Sequence, residues 1–248
     1  MIRRMTTPKV LAAEAIGTFY LCFAGIAAIL STMPPVSSGG GLVAIALAHG
    51  LALTIAVHTF GGISGAHVNP AVTIAMLVTG RIRLALAALY IVAQLLGATV
   101  AAALCKFIFP PEAVTAATLG LPLPAVWLVT PGAIVVIVEF ILTFLLVTAV
   151  FGTAVDDRGK TVKIGAFGIG LTVAFDILAG GPVTGASMNP ARSFGPALVA
   201  GHWTWHWAYW VGPVLGGVVA ALLYHHFLLP TPQQPPVKEE WLDAGGRR

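Results

Sequence analysis

Apolar residues run in six blocks long enough to cross a bilayer, over residues 10–30, 42–60, 84–109, 134–151, 162–178 and 205–229. A helix rises ~1.5 Å per residue and the hydrocarbon core is ~30 Å thick, so this pattern predicts six membrane-spanning helices. Two further apolar stretches, 71–79 and 191–200, are too short to cross, and each follows a glycine-rich stretch and an Asn-Pro pair. They predict two re-entrant half-helices. The connections at 31–41 and 110–131 are rich in proline, glycine and small residues. The pattern divides the chain into one membrane domain over residues 1–229 and a proline-rich, then charged, tail over 230–248 that is expected to be disordered.

The membrane domain repeats itself. Ser64-Gly65-Ala66-His67-Val68-Asn69-Pro70-Ala71 matches Thr184-Gly185-Ala186-Ser187-Met188-Asn189-Pro190-Ala191 at an offset of 120 residues. Gly50 and Leu51 align with Gly170 and Leu171 at the same offset, Tyr90, Gly97 and Ala101 with Tyr209, Gly216 and Ala220 at 119, and Glu14, Thr18 and Phe19 with Glu139, Thr143 and Phe144 at 125. Repeat one covers about residues 9–109 and repeat two about 131–229. Each holds three spans and one half-helix. Three is odd, so the second copy enters the membrane upside down, which predicts an inverted repeat whose half-helices dip in from opposite faces.

Composition agrees with a lipid environment. A soluble domain carries about a quarter charged residues, whereas here 9% are charged, 58% are hydrophobic and the mean hydropathy is +0.92. The net charge of +4 comes from basic residues scattered singly between apolar runs, which excludes a nucleic-acid surface. Cys22 and Cys105 lie inside apolar runs and read as packing residues, giving neither a disulfide framework nor a thiolate metal site. The first apolar run exceeds the core of a cleaved signal peptide and is expected to be retained. Eleven Lys and Arg fall on one side of the predicted topology and two, Lys106 and Arg192, on the other, which places both termini in the cytosol of a multi-pass cell-membrane protein.

Asn followed by Pro at the head of an apolar helical stretch is a helix start: Asn caps, and Pro takes the first position, where no amide hydrogen is needed. Asn69-Pro70-Ala71 and Asn189-Pro190-Ala191 both fit. Irregular backbone at membrane depth persists only where it is buried in protein or lines a wet cavity. Gly65, Ala66 and His67, and Gly185, Ser187 and Met188, are therefore expected to border a lumen. Two helix N-termini meeting at mid-membrane set two partial positive ends at one point, which repels cations and protons. The Asn amides are expected to donate into the lumen and orient a passing water.

SGAHVNPAVT at 64–73 and TGASMNPARSFGPAL at 184–198 resemble the two signature loops of the aquaporins, the major intrinsic protein family. The resemblance covers nearly the whole chain outside the tail. It implies an all-α membrane protein of six tilted helices plus two half-helices, assembled as a homotetramer with one pore per subunit and needing no cofactor or metal. By the same resemblance the constriction falls on His49, Ile177, Ala186 and Arg192, and Glu14 and Glu139 brace the re-entrant loops. The His, Ile, Ala, Arg set looks more like that of vacuolar-type plant aquaporins than like the strictly water-selective pattern, which has an aromatic at position 49 and a histidine at position 177. Ser193 after Arg192, with Ala197, Tyr209 and Trp210, resembles the water branch and not the glycerol branch. The implied function is a passive channel domain over residues 1–229 for water, with ammonia and hydrogen peroxide as secondary solutes.

Rival readings attach to several residues. Glu14 and Glu139 are intramembrane acids that could relay protons, and their equivalent places in the two repeats favour bracing instead. Asp176 reads either as a solvated vestibule residue or as an anchor for the second loop, with solvation slightly favoured. His202 and His206, and His225 and His226, could suggest a metal, but no carboxylate accompanies them at ligand spacing. A glycerol facilitator and an ion-coupled transporter remain the functional rivals. An enzyme does not fit, because no motif groups a nucleophile, a base and an orienting residue.

Overall fold

The computed structural model describes residues 7–160 and 164–230; the expected tail lies, from residue 231 on, outside the described residues. Six helices are long and apolar enough to cross a membrane, with mean hydropathy between 1.5 and 2.8. They are built on α1 (Thr7–Ser31), α2 (Gly41–Ser64), α4 (Leu84–Ile108), α6 (Pro131–Val150), α8 (Gly165–Thr184) and α10 (Ala208–Leu223). Between them sit the half-helices α3 (Pro70–Val78) and α9 (Pro190–Ala200) and two short helices, α5 (Pro111–Ala116) and α7 (Asp157–Lys160). No strand occurs among the described residues.

Boundaries depart from the apolar pattern where glycine was read as punctuation. The fifth span continues through Gly180, Gly181 and Pro182 to Thr184, and the second through Gly61 and Gly62 to Ser64. The helices run on through these glycines, and each stops only where Gly65 and Gly185 adopt φ of +89° and +78°. The sixth span starts three residues later than expected, because residues 201–207 form turns before Ala208.

Close helix approach needs small residues. A Cβ on Gly97 would strike the Ala15 carbonyl, and one on its repeat mate Gly216 would strike that of Phe140. These two contacts pack α4 on α1 and α10 on α6. The halves meet where α2 crosses α8 at Gly50 and Gly170, each of which would clash with the other's carbonyl if it carried a Cβ. Gly50 and Gly170 are repeat mates, so the pseudo-two-fold axis passes between them. Outward stripes at helical spacing, Leu47, Leu51 and Ile55 on α2 and Val92, Leu96 and Val100 on α4, are all about half exposed. Such stripes suit contact with lipid chains.

Candidate functional site

Both half-helices start as the sequence predicts. Asn69 and Asn189 are extended N-caps whose side-chain Oδ1 accepts from the backbone N–H of Ala71 at 2.8 Å and of Ala191 at 3.0 Å. Pro70 and Pro190 fill the first helical positions. Each amide then reaches across the repeat: Asn69 Nδ2 donates to the Met188 carbonyl, and Asn189 Nδ2 to the Val68 carbonyl, both at 2.9 Å. One of the two N–H donors on each amide is thus used on the opposite loop, a bond the sequence did not suggest. One per amide remains for a solute.

The loops before the caps have unusual backbone. Ala66 and Val68 lie at φ of +47° and +55°, and Ala186 and Met188 at +44° and +54°. Left-handed backbone is costly for residues bearing a Cβ, most of all for a β-branched one such as Val68, so something must hold it. Glu14 and Glu139 do so. Glu14 accepts from Ser64 Oγ, the His67 and Val68 N–H groups and Gln94 Nε2 at 2.6–2.9 Å. Glu139 accepts from Thr184 Oγ1 and the Ser187 and Met188 N–H groups at 2.7–2.9 Å. Both side chains are fully buried, and a carboxylate so supplied with donors is an anchor for the loop. Tyr90 and Tyr209 add matching bonds to the Ser64 and Thr184 carbonyls at 2.9 and 2.7 Å.

His49, Ile177, Ala186 and Arg192 come together. All four line one cavity of about 180 Å³ that also includes Asn69, Asn189, Gly65, Ala66, His67, Ser187 and Met188. It continues past Leu53, Val57, Met76 and Val150 to Ala154 and Val155 at the far end of the fourth span. A second cavity opens on the other side, lined by Ile29, Met33, Gly120 and Leu123 among others, and the two share only Ile177 and Arg192. Ile177 and Arg192 stand where the two cavities adjoin. One wall of the main cavity is aliphatic, and the other carries the polar loop groups.

The constriction has its own supports. His49 Nδ1 lies 2.8 Å from the Ile45 carbonyl, so that nitrogen carries the hydrogen and, in the neutral ring, Nε2 is an acceptor. The ring lies against Gly25 of α1, where a Cβ would collide with Nε2. Arg192 Nη1 donates to the Gly120 carbonyl at 2.8 Å. Gly120 ends a left-handed turn, Thr118, Leu119 and Gly120 at φ of +47°, +55° and +68°, anchored by the fully buried Leu119. The connection between the third and fourth spans thus takes part in the site.

Sequence reasoning missed three contributors. Gln94, which bonds both Glu14 and Thr73 Oγ1, is detectable as an isolated amide one turn after Tyr90. Gly120 leaves no signal, because its carbonyl and not a side chain does the work. Asp156 ties the end of the fourth span to the end of the sixth: it takes Arg158 at 2.6 Å and Tyr224 Oη at 3.2 Å, while Arg158 also reaches the Leu228 carbonyl at 2.6 Å. The Arg158 hydrogen bonds hold the Asp156 carboxyl down to about 2.

Asp176 requires a correction. It is fully buried, and among the described residues nothing bonds either of its oxygens, so it is neither solvated nor an anchor in the sense of Glu139. His202 and His206 lie outside the spans; His206 Nε2 accepts from Trp210 Nε1 at 3.0 Å. Among the described residues no three His, Cys, Asp or Glu side chains are grouped as a metal would need.

Six spans, two half-helices whose caps bond across the repeat, and a cavity that both caps border define a multi-pass membrane protein. A family model described as Major intrinsic protein matches residues 1–224. Aquaporin TIP4-4 of Zea mays is 43% identical over 235 residues, spanning 93% of this chain and 91% of that protein. Probable aquaporin TIP3-2 of Arabidopsis thaliana is 45% identical over 237 residues, 90% of this chain and 85% of the relative. The X-ray structure of the aquaglyceroporin from Plasmodium falciparum superposes with a TM-score of 0.77 at 24% identity, covering 90% of this chain and 97% of that one, which establishes the shared fold. The chain belongs to the major intrinsic protein family.

Proposed function

We propose that this protein is a passive channel for water that also admits ammonia and hydrogen peroxide and excludes ions and protons. The observation that carries the reading is the reciprocal Asn69 and Asn189 bonding at 2.9 Å inside a continuous cavity. It fixes two positive helix ends and one free amide N–H from each side at mid-lumen. A water accepting both of these donors has its own hydrogens turned toward its neighbours on either side, so no proton can hop through it. Single-file hydration continues along the aliphatic wall.

Selectivity belongs to His49, Ile177, Ala186 and Arg192. Arg192 supplies a fixed positive charge and donors, His49 an acceptor, and Ile177 and Ala186 set the apolar width. The relatives named as aquaporins support water as the main solute. The channel domain covers residues 1–229, with both termini cytosolic, and works as a homotetramer with one pore per subunit.

Stopped-flow light scattering on proteoliposomes, comparing water, ammonia and glycerol, tests this reading. The expected result is fast water flux of low activation energy, measurable ammonia flux, and glycerol uptake near that of empty vesicles. Water flux no faster than through lipid alone would overturn it.

A further inference from the structure

Three side chains of the first repeat meet beside the lumen in a way the second repeat does not copy. His67 Nδ1 lies 3.2 Å from Thr73 Oγ1, and Gln94 Nε2 lies 3.0 Å from the same oxygen. At offset 120 the mates of His67 and Thr73 are Ser187 and Ser193, and at offset 119 the mate of Gln94 is Pro213. In the second repeat each serine bonds the backbone nearby: Ser187 Oγ donates to the Asn189 carbonyl at 2.9 Å and Ser193 Oγ to the Pro190 carbonyl at 3.0 Å. An imidazole, the hydroxyl it touches and an amide that reaches that hydroxyl are therefore found together in one half only.

Counting hydrogens around Thr73 decides which nitrogen of His67 carries one. Gln94 Nε2 also lies 2.8 Å from Glu14 Oε2. A carboxylate oxygen only accepts, so the Gln94 atom against it is the amide nitrogen, which therefore donates to Thr73 Oγ1 as well. The Asn69 carbonyl, 3.0 Å from Thr73 Oγ1, also only accepts, and it takes the single hydrogen of that hydroxyl. No hydrogen is left on Thr73 Oγ1 for His67, so Nδ1 of the imidazole must donate to it. In the neutral ring Nε2 is then a bare acceptor. His67 is partly buried and lines the main cavity, and Nε2 has no hydrogen-bond partner among the described residues. That edge of the ring lies beside Gly65 of the same wall, where a Cβ would stand 3.5 Å from Nε2. Tyr90 packs edge-on against the ring, with centroids 5.2 Å apart.

We propose that Thr73 is a positioning residue, backed by Gln94 and Glu14, that fixes His67 as the Nδ1–H tautomer and so presents a lone pair, not a hydrogen, to the permeating file. The consequence for transport rests on the water-channel reading. A water held by the two asparagine amides turns its hydrogens away from mid-lumen, and its neighbours follow the same order. A wall acceptor takes one of those hydrogens and upholds the order, whereas an Nε2–H at the same place would donate to a water oxygen and favour the reverse. Thr73 is fully buried and does not line the cavity, so it acts on the pore only through the ring it touches.

Solid-state nitrogen NMR of the histidine-labelled, lipid-reconstituted protein is the direct test. It reads the tautomer whether or not the protein conducts, so failure of this assignment and failure of the water-channel reading are distinguishable. The His67 signals are those that vanish in His67→Asn. At neutral pH the expected spectrum has a hydrogen on His67 Nδ1 and none on Nε2. Thr73→Val should move the hydrogen to Nε2, and Thr73→Ser should keep it on Nδ1. A hydrogen on Nε2 in the unaltered protein, or a tautomer indifferent to Thr73→Val, overturns the proposal. If Thr73→Val does not fold, the spectrum of the unaltered protein still decides. Osmotic water flux through the same proteoliposomes gives the functional reading: Thr73→Ser should match the unaltered protein and Thr73→Val should be severalfold slower. Equal flux in Thr73→Val with the hydrogen on Nε2, or an equal loss in both variants, overturns the role in conduction.

Discussion

Asn69 Nδ2 lies 2.9 Å from the carbonyl oxygen of Met188, 119 residues further along the chain. The mirrored contact of Asn189 with Val68 has the same length. Each asparagine therefore caps its own half-helix with Oδ1 and ties down the opposing loop with Nδ2. Mechanical and electrostatic roles reside in the same side chain.

Replacing Asn69 by Ala removes a cap and a cross-repeat bond together. A cap contributes ~0.5–2 kcal/mol and a net hydrogen bond ~0.5–1.5 kcal/mol. Asn69→Ala and Asn189→Ala should each lose about 1–3 kcal/mol, read as a fall of several degrees in the thermal unfolding midpoint in detergent. The double variant should lose less than the sum, since both changes loosen the same pair of loops.

Glu139→Gln keeps one acceptor oxygen for Thr184 and Ser187 but turns an amide N–H toward the Met188 N–H, which now bonds Oε2 at 2.7 Å. A stranded buried donor costs about 1–3 kcal/mol. The variant should unfold earlier and conduct less water. Glu14→Gln should be milder, because Gln94 can rotate its amide and offer an oxygen to the new nitrogen.

Gly25→Ala changes the constriction from behind. The new methyl would collide with the His49 ring, a side chain and not a backbone, and so displace it. Water permeability should fall by roughly tenfold, since sub-ångström radii govern such pores. Gly97→Ala should instead lower expression and stability, because its methyl meets the Ala15 backbone.

His206 makes the turn before the sixth span sensitive to acid. Burial lowers its pKa below the ordinary 6.5, and its Nε2 must stay unprotonated to accept from Trp210. A depressed histidine stabilises the fold above the unfolded value, and this contribution is lost as pH falls below about 6.5, where the unfolded chain takes up the proton first. The Tm should drop on acidification from pH 7 to 5, and His206→Phe should flatten that slope. Asp156, held near 2 by Arg158, should contribute pH dependence only below about 5, where the unfolded chain begins to take up its proton.

The fold was legible because lipid imposes length and inverted repetition imposes topology; the six spans follow from apolar runs and the half-helices from Asn-Pro. The caps were equally legible, since Asn69 and Pro70 act through their own side chains. Less visible were features that depend on backbone. Gly120 offers a carbonyl to Arg192 from a left-handed turn that the pattern at 110–131 presents only as a connection. The apolar pattern ends the fifth span at Leu178 because Gly180, Gly181 and Pro182 signal a turn, whereas in the fold the helix continues and Gly180 and Gly181 permit the approach of Leu142 and Leu42. Asp176 was misread because charge suggests solvent, and only the position of α6 decides that it faces inward.

The central claim is that two opposed, asparagine-capped helix ends let water through and stop charge. Water and proton flux should therefore be measured on the same proteoliposomes, one by osmotic light scattering and the other by a trapped pH dye under an imposed gradient and potential. The account predicts water flux far above that of empty vesicles with proton flux equal to theirs. Proton or sodium flux that rises with the amount of protein would contradict it.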